Sequence, residues 1–180
     1  MRVIAGQAKG HKVGGTSRKT TRAITDRIKE SVFGILGDFS GKRVLDLFAG
    51  TGSIGIEALS RGAGETFFID KDRECARLIK KNLSFLCISG TVYPLTARTG
   101  LKRLGQKGER FDMVFVDPPF KTELAEETLK QLDELNIVRS KGIVIARHHA
   151  KTILPEAAGK LFLKRREKYG DSIVCFYGRV

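Results

Sequence analysis

The 180-residue sequence lacks several features that define common classes of protein. It contains only three cysteines, Cys75, Cys87 and Cys175, which lie far apart and form no Cys-x-x-Cys pair. This spacing excludes a disulfide framework and a cysteine-rich zinc site, and it indicates reduced thiols. No apolar run approaches the roughly 18 residues that cross a bilayer, and the run in MRVIAG is too short for a signal peptide. We therefore expect a soluble cytoplasmic protein with no metal and no membrane partner.

Acidic residues are scarce relative to basic ones. The sequence has 33 lysines and arginines against 20 aspartates and glutamates, a formal net charge of +13. The excess is concentrated at residues 1–29, where eight basic residues accompany a single acid. A local excess favours a polyanionic partner, nucleic acid first, although a basic surface that maintains solubility is the alternative. The residues that we select as candidate nucleic-acid contacts are Arg2, Lys9, Lys12, Arg22 and Arg27.

Two kinds of pattern divide the chain near residue 40. In residues 1–13 the side-chain pattern alternates and is interrupted at two glycines, which is typical of a short hairpin. A basic loop then leads into an apolar helix that ends at Gly37. From Gly41 onward, apolar strands alternate with amphipathic helices, and the chain closes on two strands around a turn. The alternation predicts an α/β fold, with a mostly parallel sheet covered by helices on both faces. We expect an extension at 1–40 and a main domain at 41–180.

The segment DLFAGTGSIG leaves a buried strand and enters a helix. Gly50, Gly52 and Gly55 allow a tight turn and a close approach of the backbone to a ligand at the carboxyl edge of the sheet. Asp70, which ends the next strand, can accept hydrogen bonds from two ribose hydroxyls. Both a dinucleotide and S-adenosylmethionine fit this pattern, but Asp46 would repel a pyrophosphate and attract a methionyl ammonium. We therefore favour S-adenosylmethionine, with a purely structural cap of the loop as the alternative for Asp46.

The segment VFVDPPF ends the most apolar strand of the chain. Asp117 is expected at the same edge of the sheet as the glycine loop. Pro118 and the proline after it fix the backbone and remove two N–H donors, which leaves a carboxylate and carbonyls as acceptors for an –NH2 group. Phe120 supplies a face on which a planar ring can stack. The segment predicts a planar substrate with an exocyclic amine or an amide, whereas a stiff turn after a core strand is the alternative.

Several segments together resemble a known family. RVLDLFAGTGSIGIEALSRGA and VFVDPPF resemble the small-subunit (16S) ribosomal RNA guanine-N2 methyltransferases, and MRVIAGQAKGHKV, TTRAITDRIKESVFGIL and KYGDSIVCFY resemble other segments of that family in the same order. The resemblance implies a Rossmann-like class I methyltransferase with a seven-stranded sheet, an antiparallel last strand and a small N-terminal hairpin. It also implies methyl transfer from S-adenosylmethionine to the 2-amino group of a guanine in ribosomal RNA, free or in the assembling 30S particle.

The same resemblance implies roles for individual residues. The residues that would line the methionyl side of the cofactor are Asp46, Phe48, Gly50 and Gly52. Its ribose would be held by Asp70, and its adenine by Thr96 or the backbone of Ala97. The catalytic residues that would hold a flipped guanine are Asp117, Pro118 and Phe120. The residues implied to lie near the cofactor and the RNA are Arg22, Thr25 and Arg27.

The sequence departs from the family pattern at three positions. Ala23 stands in place of a proline before the first helix, Thr96 in place of an Asp or Asn that often meets the adenine amine, and Arg147 in place of a frequent glutamate at the end of the fifth strand. Two other functions stay open at this point. One is methylation of adenine N6 or of a protein glutamine, because Asp-Pro-Pro also occurs in such sites. The other is a non-catalytic role in RNA binding or assembly.

Overall fold

The computed structural model describes residues 2–15, 24–120 and 123–180. In these ranges the chain forms five helices: α1 (Asp26–Leu36), α2 (Ser53–Ser60), α3 (Arg73–Phe85), α4 (Ala97–Gln106) and α5 (Leu124–Glu134). It also forms eight strands: β1 (Arg43–Leu47), β2 (Glu65–Ile69), β3 (Thr91–Tyr93), β4 (Phe111–Val116), β5 (Val138–His149), β6 (Ala157–Ala158), β7 (Leu161–Tyr169) and β8 (Ser172–Arg179). None of the helices in these ranges is long and apolar enough to cross a membrane.

All eight strands belong to one sheet, in the order β3-β2-β1-β4-β5-β8-β7-β6. Strands β1 to β5 pair in parallel, and β8 runs antiparallel between β5 and β7. The predicted α/β class, the mostly parallel sheet and the antiparallel last strand are therefore confirmed. The sheet has one strand more than the seven expected, because β6 adds a two-residue strand against the start of β7.

The N-terminal segment is a turn closed by one antiparallel bridge, without regular strands between residues 2 and 15. Arg2 pairs with Lys12, and the Val3 N–H donates to the His11 carbonyl at 3.1 Å. Two glycines in the left-handed region lie between them, Gly6 at φ 82° and Gly10 at φ 87°. Because glycine adopts this region without steric penalty, the chain bends at both positions and the ladder stays short.

Helices cover both faces of the sheet. Successive residues of a strand point to opposite faces. Leu45 and Leu47 thus pack with residues of α4 and α5, whereas Val44 packs with residues of α1 and α2. Phe115 of β4 also packs on the α1 and α2 side. Asp46 lies two residues after Val44 in β1, and Asp117 lies two residues after Phe115, just past the end of β4, so both aspartates point toward that side.

A buried ion cluster docks the N-terminal segment on α2. The Glu57 carboxylate is inaccessible and accepts hydrogen bonds from the backbone N–H groups of Ile4 at 2.8 Å and Ala5 at 3.0 Å. Lys29 of α1 is only 1% exposed; its Nζ lies 3.4 Å from Glu57 Oε2 and donates to the Arg2 carbonyl at 2.7 Å. Because each buried charge needs these partners, the cluster holds the N-terminal segment, α1 and α2 together.

Lys29→Met should lower the free energy of unfolding by about 2 kcal/mol, because the substitution removes one of two cations that face the buried Glu57 carboxylate; the other, Arg61, stays in place with its Nε 2.8 Å from Oε1. Urea unfolding monitored by circular dichroism measures the change. Lys130→Met is the matched control, since Lys130 pairs with Glu126 at 2.7 Å on the exposed face of α5. This control should leave the unfolding midpoint nearly unchanged. Equal losses in the two variants would contradict a special contribution from the buried pair.

Candidate active site

Parallel pairing brings three aspartates to one edge of the sheet. β1 lies between β2 and β4, with Leu47 in register with Ile69 on one side and with Val116 on the other. Asp70 and Asp117 directly follow those two partners, and Asp46 directly precedes Leu47. The carboxyl ends of three adjacent strands thus present acidic side chains at the edge where open α/β sheets bind ligands.

The glycine loop after β1 has a left-handed backbone at several positions. Gly50 has φ 54° and Gly52 φ 78°, and Phe48, which is not a glycine, has φ 61°. Such a conformation at a phenylalanine is strained and is typical of functional loops. A Cβ atom at Gly52 would also lie only 3.0 Å from the side chain of Ile79, a tight contact that adds to the preference for glycine there. The loop brings the backbone close to the sheet edge and directs the start of α2 toward it.

Asp46 is a buried carboxyl group with one partner that the structure describes. Its Oδ2 atom accepts a hydrogen bond from the Gly55 N–H at 2.9 Å, whereas Oδ1 is buried and has no hydrogen-bond partner among the described residues. Burial raises the pKa of Asp46 to about 8; the Gly55 hydrogen bond opposes the rise, and the charges of Asp117 and Asp70 add to it. A buried, unsatisfied oxygen marks a place where a bound donor, above all a cation, would stabilise the ionised carboxylate.

Gly55 permits this contact because nothing but a glycine fits at its position. A Cβ atom there would lie 2.2 Å from the ring of Phe68 in β2. The third glycine of the loop therefore sets the close approach of α2 to the sheet, and with it the hydrogen bond to Asp46.

Asp70 is tied to the glycine loop and remains an acceptor. Its Oδ2 atom accepts a hydrogen bond from the Gly50 N–H at 2.7 Å, and its Oδ1 atom accepts one from the Asp72 N–H at 2.8 Å. Each carboxylate oxygen can accept a second hydrogen bond. Two adjacent acceptors with a fixed orientation suit a pair of neighbouring hydroxyl groups, as in a ribose.

Thr96 and Ala97 begin α4 at the same edge of the sheet. The exposed Thr96 hydroxyl is the helix cap: it accepts a hydrogen bond from the Thr99 N–H at 3.2 Å and contacts the Thr99 hydroxyl at 3.0 Å. Its oxygen is thus already engaged. The N–H of Ala97, in the first turn of the helix, has no intrahelical acceptor and is the donor that this position can offer to a ligand.

Asp117 forms a bidentate ion pair that sequence reasoning missed. Arg147 Nε lies 2.6 Å from Asp117 Oδ1, and Arg147 Nη2 lies 2.9 Å from Oδ2. Both side chains are largely buried, with exposed fractions of 8% for Arg147 and 15% for Asp117. Burial raises the pKa of Asp117, whereas the charge and hydrogen bonds of Arg147 oppose that rise. The pair follows from strand register: β4 and β5 pair in parallel with Val116 opposite Ala146, so the next residues, Asp117 and Arg147, lie side by side with opposite charges.

Phe120 lies against the same ion pair. The guanidinium carbon of Arg147 is 4.7 Å from the centroid of the Phe120 ring, and the His149 ring meets Phe120 edge-on at 5.8 Å. Pro118 lies between the carboxylate and the ring in sequence and is buried. The predicted acceptor residues and the predicted stacking residue therefore lie together.

The predicted nucleic-acid contacts that the structure describes lie outside this cluster. Arg2, Lys9 and Lys12 are exposed on the N-terminal turn, and Arg27 is exposed in the first turn of α1. Thr25 caps α1 by accepting a hydrogen bond from the Ile28 N–H at 3.3 Å. Arg22 and Ala23 lie outside the described residues. Within the described residues, no group of three or more His, Cys, Asp or Glu side chains is arranged to hold a metal ion.

The fold and the sheet edge together define a Rossmann-like class I methyltransferase. The chain belongs to the family described as Conserved hypothetical protein 95, whose family model matches residues 1–178. The resemblance to the small-subunit ribosomal RNA methyltransferases is thereby confirmed by relatives that align over nearly the whole chain.

Two curated relatives and one solved structure illustrate the match. The chain is 38% identical to YlbH of Bacillus subtilis over 98% of each sequence. It is 31% identical to Ribosomal RNA small subunit methyltransferase D of Escherichia coli, over 99% of this chain and 90% of the relative. The solved structure of yhhF from Escherichia coli superposes with a TM-score of 0.89 at 32% identity, covering 99% of this chain and 97% of the other.

Asp46→Asn should flatten the dependence of stability on pH. In the folded chain the Asp46 pKa is about 8, above its ordinary value of 3.8, so the folded state keeps a proton that the unfolded state loses between these values. The contribution of Asp46 to stability is therefore fully present below the ordinary pKa and is lost as pH rises through the folded one. Asparagine does not ionise, so urea unfolding between about pH 5 and pH 9 should show a shallower decline. The same decline in both proteins would contradict the raised pKa.

Proposed function

We propose that this protein is an S-adenosylmethionine-dependent methyltransferase of small-subunit ribosomal RNA and that its acceptor is the 2-amino group of a guanine. The observation that carries the proposal is the proximity of two unlike carboxyl groups at one sheet edge. Asp46 is buried with an oxygen that has no hydrogen-bond partner among the described residues, and Asp117, whose charge raises the pKa of Asp46, is paired with two N–H donors of Arg147. The first is suited to a cationic cofactor and the second to an amine.

S-adenosylmethionine fits the glycine loop better than a dinucleotide. A methionyl ammonium, directly or through a water, would give Asp46 Oδ1 the donor that no described residue supplies and would lower the pKa of that carboxyl group. A pyrophosphate at the same loop would instead meet the charges of Asp70 and Asp117. Asp70 would hold the ribose hydroxyls through its remaining lone pairs, and the Ala97 N–H would meet the adenine. Phe48, Gly50 and Gly52 would line the methionyl side.

The residues after β4 would orient the acceptor amine. Asp117 and the Pro118 carbonyl would accept the two hydrogens of the guanine 2-amino group, and Phe120 would stack on the flipped base. Held in this way, the nitrogen lone pair turns away from conjugation with the ring and points toward the cofactor. When bound, S-adenosylmethionine supplies a methyl group activated by a positively charged sulfur. The acceleration would come chiefly from orientation and electrostatics, and the amine proton would leave toward Asp117.

The N-terminal extension would provide the contacts to RNA. The exposed side chains of Arg2, Lys9, Lys12 and Arg27 form the basic surface of residues 1–40, next to the catalytic domain at 41–180. Phosphate contacts position a nucleic acid without reading its sequence. We propose free small-subunit ribosomal RNA or the assembling 30S particle as the partner and the cytoplasm as the compartment. The name of the Escherichia coli relative supports this class of substrate.

Asp117→Ala should abolish methyl transfer to guanine, because the amine loses the carboxylate that orients it. The assay uses undermethylated small-subunit RNA, a labelled methyl donor and nucleoside analysis of the product. Asp117→Asn, which keeps one acceptor oxygen, should retain part of the activity. Calorimetry should show unchanged affinity for S-adenosylmethionine in both variants, which controls for misfolding. Label on adenine, or full activity of the alanine variant, would refute the proposal.

Lys9→Ala and Lys12→Ala should weaken RNA binding uniformly across sequences. Each lost phosphate contact should reduce the slope of log affinity against log salt by about one. Lys160→Ala is the control. Lys160 is exposed just before β7, which lies near the opposite end of the strand order from β2 and β3. Filter binding at several salt concentrations measures the slopes. If the Lys160 variant lost as much affinity as the other two, the binding surface would lie elsewhere.

A further inference from the structure

Arg147 holds the two side chains that the proposed function assigns to the substrate base. Its Nε and Nη2 atoms donate to the two oxygens of Asp117 at 2.6 and 2.9 Å. Its guanidinium carbon lies over the Phe120 ring at 4.7 Å from the centroid. The planar guanidinium of Arg147 therefore already occupies both oxygens of Asp117 and the face of the Phe120 ring.

The guanidinium and the reactive edge of guanine are chemically alike. C2 of guanine carries three nitrogens, as the central carbon of a guanidinium does, and its N1–H and 2-amino groups are neighbouring donors in one plane. A carboxylate binds such a pair of donors through both oxygens. Adenine presents a donor amine beside N1, which is an acceptor, so it would restore one hydrogen bond to Asp117 and place a lone pair against the other oxygen.

We infer that Arg147 occupies the place of the guanine N1–C2–N2 edge in the free protein and competes with the substrate base for Asp117 and Phe120. This inference rests on the proposed function. A base that replaces Arg147 must regain both hydrogen bonds and the stacking contact, and guanine regains all three. Only the side chain has to move, because the backbone of Arg147 is held in β5 opposite Val174 of β8.

The competition has a defined kinetic consequence. A protein whose binding-competent state is only partly populated binds its ligand more weakly by that fraction. Displacing Arg147 is required of every base, so it lowers the affinity for guanine and for adenine by the same factor. The ratio of the affinities for guanine and adenine then depends on Asp117 alone.

Arg147→Ala tests the inference through the separation of KM from kcat. Removing the competitor should lower the KM for undermethylated RNA about tenfold with kcat little changed. The same factor should apply to RNA with adenine at the target position, leaving the preference for guanine unaltered. Low-millimolar guanidinium chloride should inhibit the variant in competition with RNA, because the ion fits the space left by the side chain. The wild-type protein should resist it.

Two additives and one variant control the measurement. Sodium chloride at the same ionic strength and urea, a neutral planar analogue, should not inhibit the alanine variant selectively. Arg147→Lys, which keeps the charge but not the paired planar donors, should bind RNA with an intermediate KM. Calorimetry with S-adenosylmethionine verifies that each variant is folded.

The outcomes separate this inference from the proposed function. A raised KM with no selective inhibition by guanidinium would overturn the inference, since Arg147 would then be an RNA contact and not a competitor. Wild-type protein that transfers no methyl group to guanine would refute the proposed function itself, whatever the Arg147 variants do.

Discussion

Parallel pairing of β1 with both β2 and β4 is the constraint on which the site depends. It aligns the ends of three strands, so that Asp46, Asp70 and Asp117 lie at one edge although up to about 70 residues separate them in sequence. The raised pKa of Asp46, to which both other aspartates contribute, is the direct result.

Concentrating negative charge at one edge destabilises the free protein, and each carboxyl group is accommodated differently. Asp70 accepts hydrogen bonds from the backbone N–H groups of Gly50 and Asp72, Asp117 pairs with Arg147, and Asp46 lies buried with one oxygen that has no hydrogen-bond partner among the described residues. The three solutions differ in how readily a ligand can replace them. The backbone donors of Asp70 are fixed in place, whereas the arginine side chain that pairs with Asp117 can rotate away. At the unsatisfied oxygen of Asp46 a ligand would have no described hydrogen bond to displace. The site thus combines fixed positioning with one movable contact.

Much of the architecture was predictable, because periodicity reports local burial and the glycine and proline motifs report local backbone geometry. The alternation of strands and helices, the glycine loop and the Asp-Pro-Pro-Phe segment were all legible in the sequence. What escaped prediction depends on partners distant in the chain. β6 is only two residues long and exists through its pairing with β7. The pair of Asp117 and Arg147 spans 30 residues and follows from strand register, which no local pattern encodes.

The docking of the N-terminal segment on α2 has a mechanical consequence. The first residues of α2 continue the glycine loop, whereas its last residue, Ser60, accepts the Gln7 N–H at 2.8 Å through its carbonyl. One helix of eight residues, about 12 Å long, therefore joins the basic turn to the glycine loop. Because a helix of this length is rigid, a displacement of one end of α2 also displaces the other end. The basic turn and the glycine loop beside Asp46 are thus connected through one short helix, so a tilt of α2 would displace both of them.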